Sequence, residues 1–197
     1  MSVPRPRLLA LCLALALAAC NRGAAPPAPP ATQAGPLSLQ ELMQTMVDPS
    51  ADALWAAVST ETTAAGSTEH QPRTEQEWLA VRRQALTLID GARLLAGDRL
   101  AVTKPGKTLE DAHVPGIWGA PEIAHAIAAS GPVFKARAAE LEASAGEALA
   151  AIDARSPARL LAAGDKIDQA CERCHQVYWY PNTEKPPARW PAPLKAK

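Results

Sequence analysis

The sequence predicts an all-α protein, an antiparallel four-helix bundle. Three observations lead there. Apolar residues make up 48% of the 197-residue chain but aromatics only 4%, so a core must be built from Ala and Leu. Those residues favour close-packed helices over a sheet, which needs β-branched and aromatic side chains. Apolar residues recur at three- and four-residue steps in four stretches. Proline-rich segments bracket those stretches and cannot join a core.

The first stretch opens with Ser38-x-x-Glu41, a capping box. Leu39, Leu42, Met43 and Met46 share one face after it. Pro49 interrupts, and a second piece carries Leu54, Trp55 and Val58, giving either one kinked helix or two short ones. In the second stretch Trp78, Val81, Ala85, Leu88, Ala92 and Leu95 step without a slip. Thr74 is its N-cap, with Glu75 and Glu77 in the first turn, and Gly97 and Pro105-Gly106 close it. A polar loop runs from Asp98 to about Gly119. The third stretch starts near Pro121, breaks or bends at Gly131-Pro132, and continues through Leu141, Ala145, Leu149 and Ile152. The fourth has Ser156 as cap and Pro157 at the first position. Leu160, Gly164, Ile167, Cys171, Cys174 and Tyr178 follow at helical spacing, so two cysteines lie in line with the core stripe. Connections of varied length between such helices suit an antiparallel bundle.

The ends of the chain read differently. Residues 1–19 form a signal peptide: Arg5 and Arg7 give a positive start, and Leu8 to Ala19 is apolar but too short to span a bilayer. The run ends Leu17-Ala18-Ala19-Cys20, which fits a bacterial lipoprotein box with cleavage before Cys20 and lipidation of that residue. An ordinary signal peptide that contains a Cys is the alternative. Asn21, where an Asp commonly retains lipoproteins at the inner membrane, points weakly to the outer one. Residues 20–36 are a Pro/Ala-rich tether; fully extended at ~3 Å per residue it reaches roughly 50 Å from the anchor. Residues 37–180 form the bundle, and residues 181–197 a Pro-rich tail. Lys plus Arg and Asp plus Glu number 20 each, and loss of Arg5 and Arg7 leaves the mature chain mildly acidic. No basic face is implied, which speaks against a nucleic-acid partner.

If cleavage occurs there, Cys12 is removed, Cys20 is capped, and the free thiols are Cys171 and Cys174. They belong to Cys171-Glu172-Arg173-Cys174-His175, the spacing of covalent haem c attachment. Two thiols one helical turn apart add to the two haem vinyl groups, and the next residue, His175, ligates the iron from the proximal side. At this usage of Cys and His, chance produces the pattern in about two of a thousand such chains. A structural zinc site requires a second pair of ligands that the sequence lacks. A thioredoxin-like redox pair requires an α/β setting, and a plain disulfide leaves His175 unexplained. Haem attachment outside the cytoplasm agrees with the signal peptide.

The arrangement, with the motif on the last helix of a four-helix bundle, resembles the cytochrome c-prime superfamily and its low-spin relatives over roughly Ser38 to Tyr180. Leu42-Met43, Val47-Asp48-Pro49, Trp55, Glu77-Trp78 with Val81-Arg82-Arg83, and Tyr178-Trp179-Tyr180-Pro181 are similar to a group of proteobacterial periplasmic cytochromes c. Trp179 departs from the c-prime pattern, in which a basic residue stands shortly after the motif. The resemblance places the sixth iron position against the first helix. An apolar residue there leaves the iron five-coordinate; a Met binds it. Met43 matches the Leu-Met pair of the group and is the expected metal ligand beside His175. Met46 is its neighbour, His125 a rival, and His70 and His113 lie in polar stretches. Trp55 and Trp78 read as core, and Trp179 and Tyr180 as packing near a haem edge.

These readings imply a periplasmic, lipid-anchored electron carrier that is not an enzyme. Its partners would be redox proteins of the periplasm or inner membrane, the membrane through its anchor, and a second copy in a homodimer. The alternatives are haem-based binding or sensing of nitric oxide or carbon monoxide at an open distal site, and a subunit docked on one larger enzyme through its tail.

Overall fold

The computed structural model describes residues 36–97 and 100–181. The signal peptide, Cys20, most of the tether and the tail beyond Pro181 lie outside the described residues. The described chain is largely α-helical with one small two-stranded sheet. Among the described residues no helix is long and apolar enough to cross a membrane.

The first helical run comprises α1 (Leu39–Leu42), a π-helical stretch (Met43–Val47) and α2 (Asp48–Ala57). Ser38 and Glu41 form the predicted capping box, with Ser38 Oγ accepting from the Glu41 amide at 3.2 Å and Glu41 Oε2 accepting from the Ser38 amide at 2.9 Å. The next free donors at this helix start are the amides of Leu39 and Gln40. They donate to the carbonyls of Ala101 (2.7 Å) and Val102 (3.0 Å) in the long loop after α3. Pro49 neither breaks the run nor makes two helices of it. It has no N–H to donate to the preceding turn, and its ring crowds that turn's carbonyl. The chain accommodates it by widening one turn, so that the Asp48 amide donates to the Met43 carbonyl five residues back.

Residues 59–73 carried no prediction; part of them forms a hairpin. β1 (Ser59–Thr63) pairs antiparallel with β2 (Gly66–His70) across Ala64 and Ala65. Gly66 has φ 131, a conformation that an L side chain resists. Thr60, Thr62, Thr63 and Thr68 supply β-branched residues, but every position is exposed, so the hairpin adds nothing to the core.

α3 (Glu75–Leu95) starts at Thr74, which forms a second capping box with Glu77. α4 (Ala120–Ala129) and α5 (Gly131–Asp153) are separated at Ser130, where φ −131 and ψ 33 mark the bend expected at Gly131-Pro132. α6 (Pro157–Tyr178) starts with Ser156 as N-cap and Pro157 in the first turn. α3 packs on α5, α5 on α6, and α2 on both α3 and α6. Leu42, Leu54, Leu88, Leu160 and Ile167 are fully buried in the shared core. Alanines and glycines let the helices approach closely. The place of a Gly91 Cβ lies 3.0 Å from Val47 Cγ2, and that of a Gly164 Cβ 3.1 Å from the Trp55 ring.

Candidate haem-attachment site

α6 carries the motif in its last two turns. The turns pack because the apolar period persists to the helix end: Ile167, Ala170 and Tyr178 are buried, and Cys171 and Cys174 lie half-buried on the same stripe. The helix then stops and folds back. The amides of Trp179 (2.8 Å) and Tyr180 (3.0 Å) both donate to the His175 carbonyl. This turn buries the Tyr180 ring and lets its hydroxyl donate to Glu172 Oε2 at 2.5 Å.

Three residues apart on an α-helix, the two thiols face one side, about one turn apart. Burial, followed by the neighbouring Cys174 and the carboxylates of Asp168 and Asp48, pushes the Cys171 thiol up to about 12. Burial also pushes Cys174 up to about 11, against the opposing pull of Arg137. Both are therefore protonated thiols at neutral pH. A thiolate nucleophile or redox-active dithiol requires the reverse, a depressed pKa in an electropositive setting. Among the described residues no group of three or more His, Cys, Asp and Glu side chains is placed to hold a metal ion.

Burial lowers the His175 imidazole from 6.5 to about 4, with Glu172 opposing. The ring is thus neutral, the form that binds a metal. It makes no hydrogen bond among the described residues. It is instead flanked edge-on by Trp179 (centroids 4.8 Å apart) and Tyr180 (6.0 Å).

The opposite wall is the first helical run. Trp55 Nε1 donates to the Gly164 carbonyl at 3.1 Å, and Asp48 lies close enough to Cys171 to act on its thiol. Both steps are seven residues long and run in opposite directions along the two helices. The helices are therefore antiparallel. Both methionines are half-buried against the core, and Met46 Cβ lies 3.7 Å from the place of a Gly91 Cβ on α3. Met46 is therefore committed to the α3 interface. The rival histidines are all exposed: His70 on the hairpin, 3.9 Å from Glu61, His113 in the long loop and His125 on α4.

Sequence reasoning passed over Arg137 and Glu140 on α5. Arg137 Nη1 donates to both Glu140 oxygens at 2.9 and 3.0 Å, Arg173 Nε donates to Glu140 Oε2 at 3.1 Å, and both α5 side chains act on Cys174. Arg137 Nε is buried with no hydrogen-bond partner among the described residues. A signal existed, because Arg137 stands one turn after Phe134 and one before Leu141, on a stripe that is otherwise apolar or small.

The residues present fit a haem c group. Two protonated thiols lie on one side, and the neutral imidazole has no competing hydrogen bond among the described residues. Comparison with protein-family models, curated proteins and solved structures gave no match for this chain.

Proposed function

We propose that this chain is an exported c-type cytochrome, a one-electron carrier with a single covalently bound haem, built on a four-helix bundle of the cytochrome c-prime kind. The observation that carries the reading is the end of α6, where Cys171, Cys174 and a neutral His175 lie together at the margin of the core. Cys171 and Cys174 would hold the haem as thioethers and His175 its iron. When bound, the haem supplies a one-electron couple.

The remaining roles belong to the chain itself. Trp179 and Tyr180 confine the His175 ring, and the Tyr180 hydroxyl ties the chain end to Glu172. Met43, which matches the Leu-Met pair of the resembled cytochromes, is the sixth ligand in this reading, and Met46, packed towards Gly91 of α3, is core. A lipid on Cys20 would hold the domain at the periplasmic face of the outer or inner membrane, within reach of redox partners.

Absorption spectroscopy of the purified protein tests the carrier reading. The reduced form is expected to show sharp low-spin bands that carbon monoxide does not change. The oxidised form is expected to show a thioether-to-iron charge-transfer band that Met43→Ala abolishes and Met46→Ala leaves in place. High-spin bands and immediate carbon monoxide binding would replace the carrier with the gas-binding reading.

A further inference from the structure

The side of α3 that faces away from the core is not uniformly polar. Leu79, Leu86 and Leu94 are 44%, 38% and 47% exposed. Arg83 and Asp90 stand between them and are exposed as well. The five residues follow at steps of three and four, so they line one stripe of the helix. Among the described residues Arg83 makes no side-chain hydrogen bond or ion pair. Asp90 has a 3.5 Å contact with Arg93, whose Nε donates to Glu142 at 2.8 Å. The order along the stripe is Leu, Arg, Leu, Asp, Leu, a palindrome in which opposite charges change places. Measured from a point between Leu86 and Thr87, Arg83 and Asp90 lie about 5 Å out in opposite directions, and Leu79 and Leu94 about 11 Å out.

We propose that α3 is a self-docking surface, on which a second copy of this chain pairs antiparallel about a two-fold axis between Leu86 and Thr87. Under that axis Arg83 lies level with Asp90 of the partner subunit, Leu79 with Leu94 of the partner subunit, and Leu86 meets the partner subunit's Leu86. Each leucine is covered and each charge gains an opposite one, and the symmetry supplies every contact twice, as an isologous interface requires. The signs of the charges select this occupant. A lipid surface has no use for one cation and one anion at matched distances from a leucine. A parallel pair sets like charges side by side, which costs affinity. One helix face is small beside a standard interface of roughly 1,600 Å², so the dimer forms as concentration rises rather than being permanent. The proposal rests on α3 alone and stands or falls independently of the haem reading.

Sedimentation of purified full-length protein over a range of concentrations is the test, with Cys20→Ser in every chain so that no lipid contributes. The parent is expected to pass from monomer to dimer. Arg83→Asp and Asp90→Arg each set like charges across the axis, and each is expected to weaken the dimer about tenfold or more. The chain carrying both substitutions has its charges exchanged and is expected to dimerise within about threefold of the parent. Leu86→Glu places two carboxylates at the axis and is expected to leave a monomer, whereas Leu161→Glu, exposed on α6, leaves the dimer in place. If a charge variant does not fold, the two leucine variants decide. A parent that stays monomeric at every concentration overturns the proposal. So does a dimer that the single charge variants and Leu86→Glu leave intact, or one that the double exchange does not restore.

Discussion

Burial sets the protonation state of each side chain that the motif contributes. For Cys171 and Cys174 it favours the thiol, and for His175 the neutral ring. The imidazole shift has a consequence for the chain before haem attachment. Unfolded, His175 takes up a proton near 6.5; folded, it does so only near 4. Between those values the unfolded state binds more protons, so stability rises with pH and is lost as pH falls from 6.5 towards 4. Urea unfolding of the haem-free chain and of its His175→Asn variant across that range is expected to show the variant gaining on the parent as pH falls. Parallel curves would mean that folding leaves the proton affinity of His175 unchanged. The motif was legible because its chemistry depends on residue type and spacing alone. Arg137 was not, because an arginine on a helix stripe is recognisable as unusual only when its neighbours across the interface are known. The widened turn at Met43–Val47 was hidden for another reason: a 3.6-residue apolar period carries no sign of a bond that reaches five residues back.

At the scale of the element, the first helical run depends on the fit between that turn and α3. Pro49 makes the wider turn necessary, and Gly91 makes room for it, with Val47 Cγ2 3.0 Å from where a Cβ would stand. Gly91→Ala sets two effects in opposition. Helix propensity gains roughly 1 kcal/mol, while overpacking costs ~1–3 kcal/mol. The expected result is a net loss on the order of 1 kcal/mol in chemical denaturation, since Val47 is itself held in the core. An unchanged or raised stability would show that the widened turn can yield. Helix starts were the most legible elements: Ser38, Thr74 and Ser156 cap where their side chains predict. A capping box is local, so nothing distant can overrule it. The hairpin at Ser59–His70 was missed because its residues are polar on both faces and carry no alternating pattern, and its cross-strand pairing is the only pattern there is to find.

For the whole molecule, cohesion comes from the apolar seam and not from surface charge. Arg82–Asp153 and Arg93–Glu142 join α3 to α5, and Lys166–Glu147 joins α5 to α6. All are exposed pairs of a kind that contributes ~0–1 kcal/mol each. The cores of α3, α5 and α6 were therefore readable from apolar periodicity, whereas these pairs were not. Placement in the cell is a separate claim and rests on Cys20. Cys20→Ser is expected to move the protein from the membrane fraction to the soluble periplasmic fraction without changing its haem content. A variant that stays with the membrane would remove the lipid anchor from the account.

The central claim is that one haem is bonded to both cysteines at the end of α6. Mass spectrometry of the peptide spanning Cys171 to His175, from protein matured in a host that makes c-type cytochromes, tests it directly. The account predicts that this peptide carries the added mass of one haem, and that Cys174→Ser leaves at most a single thioether. Free thiols or a Cys171–Cys174 disulfide in the unaltered protein would contradict it.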